Sequence, residues 1–472
     1  MSHWISGYGS SSGPEGKSGS KGKVNSNEPT VLIIGAGTFG TSTAYHLAHQ
    51  YRDPSKVTIV DRADSPPKPA AAVDINRVVR TDYAKPLYSN LAYEAWHAWY
   101  WSGELQQYFH KVGWIMMDDT DDSSLSNAIR RQFVDRGYDP TEDIPLEDIE
   151  TKWDGIMKGT DLQDFKNAYF NEETGWCDAA GATHRFMQIA TGKGVNRVST
   201  DVTEIILSDD QSSVLGVKTA DGKELKADKV LIAAGSWTSS LLSPLEDTLS
   251  ISVEDRTENQ LRAIGVLQIY YPVSSQEVQR LEKAKMPVVI YGQKGEVLPP
   301  SSKNKLLKYT HNQSFTNSVT TQSGAKITAP VGTAYKNQTD DIPDSLKSEA
   351  EAGVLSRLLP EFTKGKKPDH WRVCYDARSP TEDFLICKYP HKGVSNLFVA
   401  SGGSSHSYKF LPNAGKYVLN VLNGKSNGKE KDEAWAWKEQ GWDARDRTPE
   451  QPKLGAWAPK RDLKDVGTKS KL

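Results

Sequence analysis

Three glycines, Gly35, Gly37 and Gly40, follow the apolar run Val31-Leu-Ile-Ile34 in the spacing G-x-G-x-x-G, and Asp61 closes a second apolar run about 20 residues further on. These types at this spacing suit the pyrophosphate of a dinucleotide. Gly35 makes the tight turn, Gly37 lets the backbone approach the phosphates, and Gly40 lets the following helix pack close to the strand. Thr38 and Phe39 open that helix, whose N-terminus favours an anion, and the Asp61 carboxylate is placed to accept from a ribose hydroxyl. Nothing in the pattern separates FAD from NAD. A second group, Asp74-Ile-Asn76-Arg77-Val-Val-Arg80, offers two arginines three positions apart. They occupy neighbouring positions on a helix or opposite faces of a strand, and in either case one can address a cofactor and the other a substrate. By type alone, such arginines are most often surface ion-pair residues. The three cysteines, Cys177, Cys374 and Cys387, cannot all pair and show no metal-ligand spacing, so a reducing compartment fits and a metal site does not.

The elements that must hold these groups are legible from periodicity. Val31 to Ile34 form a continuous apolar run of the kind buried on both faces of a sheet, and Ala44, Leu47 and Ala48 follow at helical spacing. Two more strand-to-small-residue turns lie far along the chain, Val230-Leu-Ile-Ala-Ala-Gly235-Ser-Trp237 and Leu397-Phe-Val-Ala-Ser-Gly402-Gly403, the latter followed by a helix over 414–423. The expected fold is therefore α/β, with a Rossmann-like nucleotide domain assembled from separated segments, 29–104, 184–245 and 369–425. Blocks 105–183 and 246–368 would form a second, antiparallel-sheet substrate domain over the cofactor. Residues 87–101 repeat apolar groups at helical spacing, with Leu87, Leu91, Ala95 and Ala98 along one side, so their aromatics read as core. The Gly-, Ser- and Lys-rich residues 1–28 predict a disordered tail, and 426–472 a helix followed by an extended tail.

Charge is balanced, 58 basic against 60 acidic residues, which argues against a nucleic-acid surface. Apolar runs have strand lengths, far below the roughly 20 residues of a membrane span, so a soluble globular protein is expected. The sequence ends Ser470-Lys471-Leu472, the address read by the peroxisomal import receptor, and a peroxisomal, monomeric protein is expected.

The glycine fingerprint, Asp74-Ile-Asn-Arg-Val-Val-Arg80, the Ala-Ala-Gly-Ser-Trp turn, Arg372-Val-Cys374-Tyr-Asp, Phe384-Leu-Ile386 and the 402–415 stretch with Tyr408-Lys409-Phe410 together resemble the sarcosine oxidase and fructosyl-amine oxidase family of flavoproteins, including fungal saccharopine and pipecolate oxidase-like members. The resemblance spans roughly residues 30–425. It implies FAD, oxidation of the C–N bond of a secondary amine on an amino acid-like substrate, and oxygen as acceptor, giving an imine and hydrogen peroxide. Cys374 matches the position at which the family attaches FAD through an 8α thioether, a bond that needs a thiolate, which a nearby cation such as Arg372 favours. Arg77 matches a cofactor-side cation, and Asn76, Val202 and Gly235 match further cofactor contacts. Arg80 and Lys409 match the pair that binds the substrate carboxylate, a forked donor beside a point charge, with Lys409 also close to the flavin.

Lys305-Leu-Leu-Lys308-Tyr-Thr-His311 resembles the strand carrying the family's oxygen-activating lysine. Lys308 is assigned that role, with Lys305 as the other candidate, and the spacing to His311 departs by a residue from the family's pattern. Where fructosyl-amine oxidases carry an acidic residue for the sugar, this chain has Pro299, with Glu296 as a possible substitute. An N-alkyl amino acid is therefore preferred over a fructosyl substrate. The rivals are an FAD dehydrogenase using another acceptor, an NAD enzyme, and a non-catalytic FAD-binding scaffold.

Overall fold

The computed structural model describes residues 28–68, 70–119, 123–331, 339–391, 394–439 and 461–466. The expected disordered N-terminal tail, Glu28 apart, and the terminal Ser470-Lys471-Leu472 lie outside the described residues.

Strand β1 (Val31–Ile34) is buried along its whole length, helix α1 spans Thr38–Gln50, and strand β2 covers Val57–Asp61. The β1 run has apolar side chains on both faces because it sits inside a sheet, parallel both to β2 and to Lys229–Ile232. The full order is Leu385–Lys388, Leu397–Ser401, Lys229–Ile232, β1, β2, Asn196–Ser199, parallel throughout except for the first strand at its edge. The three strand-to-glycine segments thus lie side by side, as their dispersal along the chain implied. The aromatic helix, Pro86–Trp101, buries Leu87, Leu91, Ala95, Trp96 and Trp99, while Ala98 is only half-buried.

A second sheet has eight strands in the order His370–Arg378, Arg262–Pro272, Leu306–Thr316, Gly295–Leu298, Val288–Tyr291, Trp114–Asp118, Asn167–Asn171, Thr141–Asp143. Neighbours are antiparallel apart from the parallel pair Val288–Tyr291 and Trp114–Asp118. Segment 369–425 serves both sheets: His370–Arg378 pairs here, and the two strands after it pair in the parallel sheet.

Register gives this second sheet two unlike faces, because cross-strand partners point the same way. Leu267, Ile269, Tyr309, Val297, Val289 and Ile115 face a large apolar core. The alternating residues Cys374, Val266, Gln268, Thr310, Glu296, Ile290 and Met116 line a cavity. Arg77–Val79 is extended, pairing with Gly175–Cys177, so of the two readings of the arginine pair the strand form holds.

Candidate active site

The glycine turn is built as its spacing requires. The Gly35 amide donates to the Val60 carbonyl at 2.8 Å, and Gly35 adopts φ +102°. A Cβ on Gly40 would lie 1.8 Å from the Gly35 carbonyl oxygen, so only glycine lets α1 start this close to β1. At Gly37, by contrast, nothing lies within 4 Å of an added Cβ, and the space belongs to the cavity. One Asp61 oxygen accepts from the Ala36 amide at 2.7 Å, and burial pushes its carboxyl above the ordinary range.

From this turn the cavity, about 490 Å³, runs along the parallel sheet and then under the polar face of the eight-stranded sheet. Gly35, Gly37, Thr38, Phe39, Asp61, Val202 and Gly235 line it at one end, and Arg77, Arg80, Cys374 and Lys409 further along. Gly40, Asn76 and Lys308 do not line it and sit one layer behind.

That second layer centres on Asp74, to which the sequence reading gave no role. Its carboxylate meets Arg77 Nη1 at 2.8 Å and Lys308 Nζ at 3.0 Å, and accepts from Tyr270 Oη at 2.9 Å and the Ile75 amide at 2.7 Å. Burial raises the Asp74 carboxyl, but Lys308 and Arg77 outweigh burial and hold it well below the usual range. Lys308, fully buried, is drawn down from the ordinary lysine range by desolvation against the pull of Asp74, and also donates to the Asn76 carbonyl at 2.8 Å. The signal that could have found Asp74 is its i,i+3 offset from Arg77 within an apolar stretch.

Arg77 also donates to the Ala71 carbonyl and presents Nη2 to Cys374 Sγ at 3.4 Å. Arg372 binds the Val73 and Ala70 carbonyls, and so clasps the loop that carries Arg77. Arg80 points the other way. Its guanidinium stacks on Tyr83 at 4.2 Å and on Trp114 at 5.2 Å. Trp114 is itself held by buried Asp82, which also accepts from Tyr169 and Asn171.

Lys409 Nζ donates to Tyr83 Oη and to the His406 carbonyl, both at 2.7 Å, and Trp99 Nε1 donates to the Lys409 carbonyl, so the aromatic helix fixes the lysine turn. Burial and the Lys409 charge hold His406 neutral. Neutral His406 lets Nε2–H donate to the Glu382 carbonyl at 2.8 Å while Nδ1 accepts from Tyr83 at 3.1 Å.

Of the other candidates, Lys305 reaches outward to Ser275, and His311 points away from the cavity, its ring against Gly353. Strand alternation instead sends Asn312 to the cavity wall, with Thr310. Glu296 also lines the cavity, accepting from Thr310 Oγ1 at 3.1 Å, whereas Pro299 lends its carbonyl to Asn76 Nδ2 behind the wall.

A family model for FAD dependent oxidoreductases matches residues 30–420. The chain belongs to that family. This oxidoreductase is 25% identical to L-saccharopine oxidase of Schizosaccharomyces pombe, over 87% of its own length and 93% of that protein's. It is 22% identical to the peroxisomal sarcosine oxidase of Mus musculus, over 83% and 91% of the two chains. A crystal structure of a thermally stable fructosyl peptide oxidase mutant superposes with a TM-score of 0.78 at 25% identity, covering 93% of this chain and 98% of that one.

The residues present fit FAD. The space left open at Gly37 admits a pyrophosphate, the Asp61 carboxylate stands beside it, and the cavity is long enough to continue from there to the Cys374 sulfur. Arg77, Arg80 and Lys409 line the same cavity. Among the described residues no cluster of metal-binding side chains occurs, and no helix is long and apolar enough to cross a membrane.

Proposed function

We propose that this oxidoreductase is an oxidase of a secondary-amine amino acid, with FAD joined covalently to Cys374. The observation that carries the reading is one continuous cavity that leads from the Gly35–Gly37 turn past Cys374, against which Arg77 is set at 3.4 Å, to Arg80 and Lys409. Flavin supplies a two-electron acceptor that oxygen can reoxidise, with release of hydrogen peroxide.

The chain's own groups would do the rest. Arg80, held against Tyr83 and Trp114, offers a two-pronged donor to a carboxylate, and Lys409, bound to the Tyr83 hydroxyl, adds a second cation. Fixing the carboxylate fixes the amine carbon beside it, so orientation comes from binding energy already spent on the acid group. Arg77 is the cation beside the cofactor's ring system, and its pairing with Asp74 keeps it in place. Lys308 lies one layer behind, tied to the same carboxylate, and supplies fixed positive charge for oxygen reduction. The similarity to saccharopine and sarcosine oxidases supports amine chemistry, and the lack of an acidic side chain at Pro299 favours an N-alkyl amino acid over a fructosyl one. Peroxisomal import through Ser470-Lys471-Leu472 belongs to the same proposal.

Mass spectrometry of the denatured protein beside its Cys374→Ala variant tests the attachment. The reading expects a flavin-sized increment in the first and none in the second, followed by peroxide release with an N-alkyl amino acid. An unmodified wild-type chain would remove the covalent link, and reduction without peroxide would turn the reading toward a dehydrogenase.

A further inference from the structure

The cavity wall carries several carboxylates, and nearly all are spoken for by the protein. Asp82 accepts from three side chains, Asp119 lies 3.7 Å from Lys294, and Asp61 is bound to the Ala36 amide. Glu296 differs. Among the described residues its hydrogen-bond partner is the neutral hydroxyl of Thr310, and no cation pairs with it within 4 Å. Arg77 and Lys308 are near enough to feel its charge, but both are committed to Asp74. Glu296 therefore presents to the cavity a carboxylate with no cation within 4 Å among the described residues, on the same sheet face as Cys374. Arg80 is its counterpart, a cation held by aromatic faces and with no carboxylate within 4 Å among the described residues. A charge left facing a cavity is costly unless a ligand completes the pair.

We propose that Glu296 is a specificity-determining residue that holds the cationic nitrogen of the substrate while Arg80 holds its carboxylate, so that the site selects the zwitterionic form of an α-amino acid. The inference rests on the secondary-amine oxidase reading and adds the residue that recognises the nitrogen. The nitrogen concerned is the reacting one, since Glu296 shares, through Thr310, Gln268 and Val266, the sheet face that carries Cys374.

Two non-reacting acids of the same shape test it on the flavin-loaded enzyme: N,N,N-trimethylglycine and 3,3-dimethylbutyrate, which differ in whether the central atom of the head group is a cationic nitrogen or a carbon. Binding is read from perturbation of the bound flavin's absorbance. Wild type is expected to prefer the cationic acid by about tenfold or more, and Glu296→Gln to erase that preference while moving affinity for the neutral acid by less than about threefold. Equal affinities in wild type, or a preference that survives in Glu296→Gln, overturn the proposal. Glu296→Leu, matched to its apolar neighbours Ile290 and Leu298, serves as the second variant if the amide form does not retain flavin. Should neither acid perturb the flavin and no secondary amine reduce it, the oxidase reading itself fails, and the role of Glu296 falls with it.

Discussion

Asp74 shows what a single buried carboxylate does when three side chains depend on it. Replacing it with alanine leaves the Arg77 and Lys308 charges without their shared partner in an apolar surround, a loss expected to cost about 3–5 kcal/mol. The urea midpoint of the flavin-loaded protein should fall accordingly, and the double variant Asp74→Asn, Lys308→Met should recover most of it. Glu258 makes a pH-dependent case. Burial pushes its carboxyl up to about 7, against hydrogen bonds from Thr328. The folded protein therefore binds a proton that the unfolded chain releases near pH 4.3, so this group's contribution to stability is fully present below that pH and is lost as pH rises toward 7. The loss amounts to at most about 4 kcal/mol. Melting temperatures measured from pH 4.5 to 8 should show this decline in wild type and a flatter profile in Glu258→Gln.

At the level of elements, the glycines of one turn separate folding from binding. Gly40→Ala drives a methyl group into the Gly35 carbonyl and is expected to displace α1, giving protein that neither folds stably nor retains flavin. Gly37 has φ −75°, which alanine adopts without strain, and its Cβ would enter only the cavity. Gly37→Ala should therefore melt close to wild type while apo-protein affinity for FAD drops by about tenfold or more, measured by titration. This turn was legible in the sequence because its defining contacts, Gly40 against Gly35 and the Gly35 amide on Val60, are local or made by the next strand. The arginine pair was half legible: spacing put Arg77 and Arg80 on opposite faces if extended, but only pairing with Gly175–Cys177 makes them so. The polar stripe was not legible. Gln268, Thr310, Glu296 and Met116 come together through register across five neighbouring strands, and a slip by one residue would have presented Ile269, Tyr309 and Val297 instead. The same alternation decides that Asn312 and not His311 faces the cavity.

The molecule as a whole is closed by chain from its far end. Arg461 pairs with Glu349 at 2.6 Å and donates to the Gln313 and Ser314 carbonyls, Asp462 accepts from the Ser318 amide, and Leu463 and Val466 pack on the core beneath the eight-stranded sheet. A segment that reads as an extended polar tail is thus a clamp on the strand bearing Lys308, Thr310 and Asn312. Deleting 461–472 should lower the melting temperature by roughly 5 °C or more. On the proposed peroxisomal import, deleting 470–472 alone should leave melting and activity unchanged while moving a fluorescent fusion out of peroxisomes. The order of the parallel sheet has a consequence in time. Strand β1 precedes its neighbour Lys229–Ile232 by a long stretch of chain, and that strand precedes the next, Leu397–Ser401, by another. The flavin's cradle can close only once strands far apart in the chain have come together, so cofactor capture waits on long-range pairing.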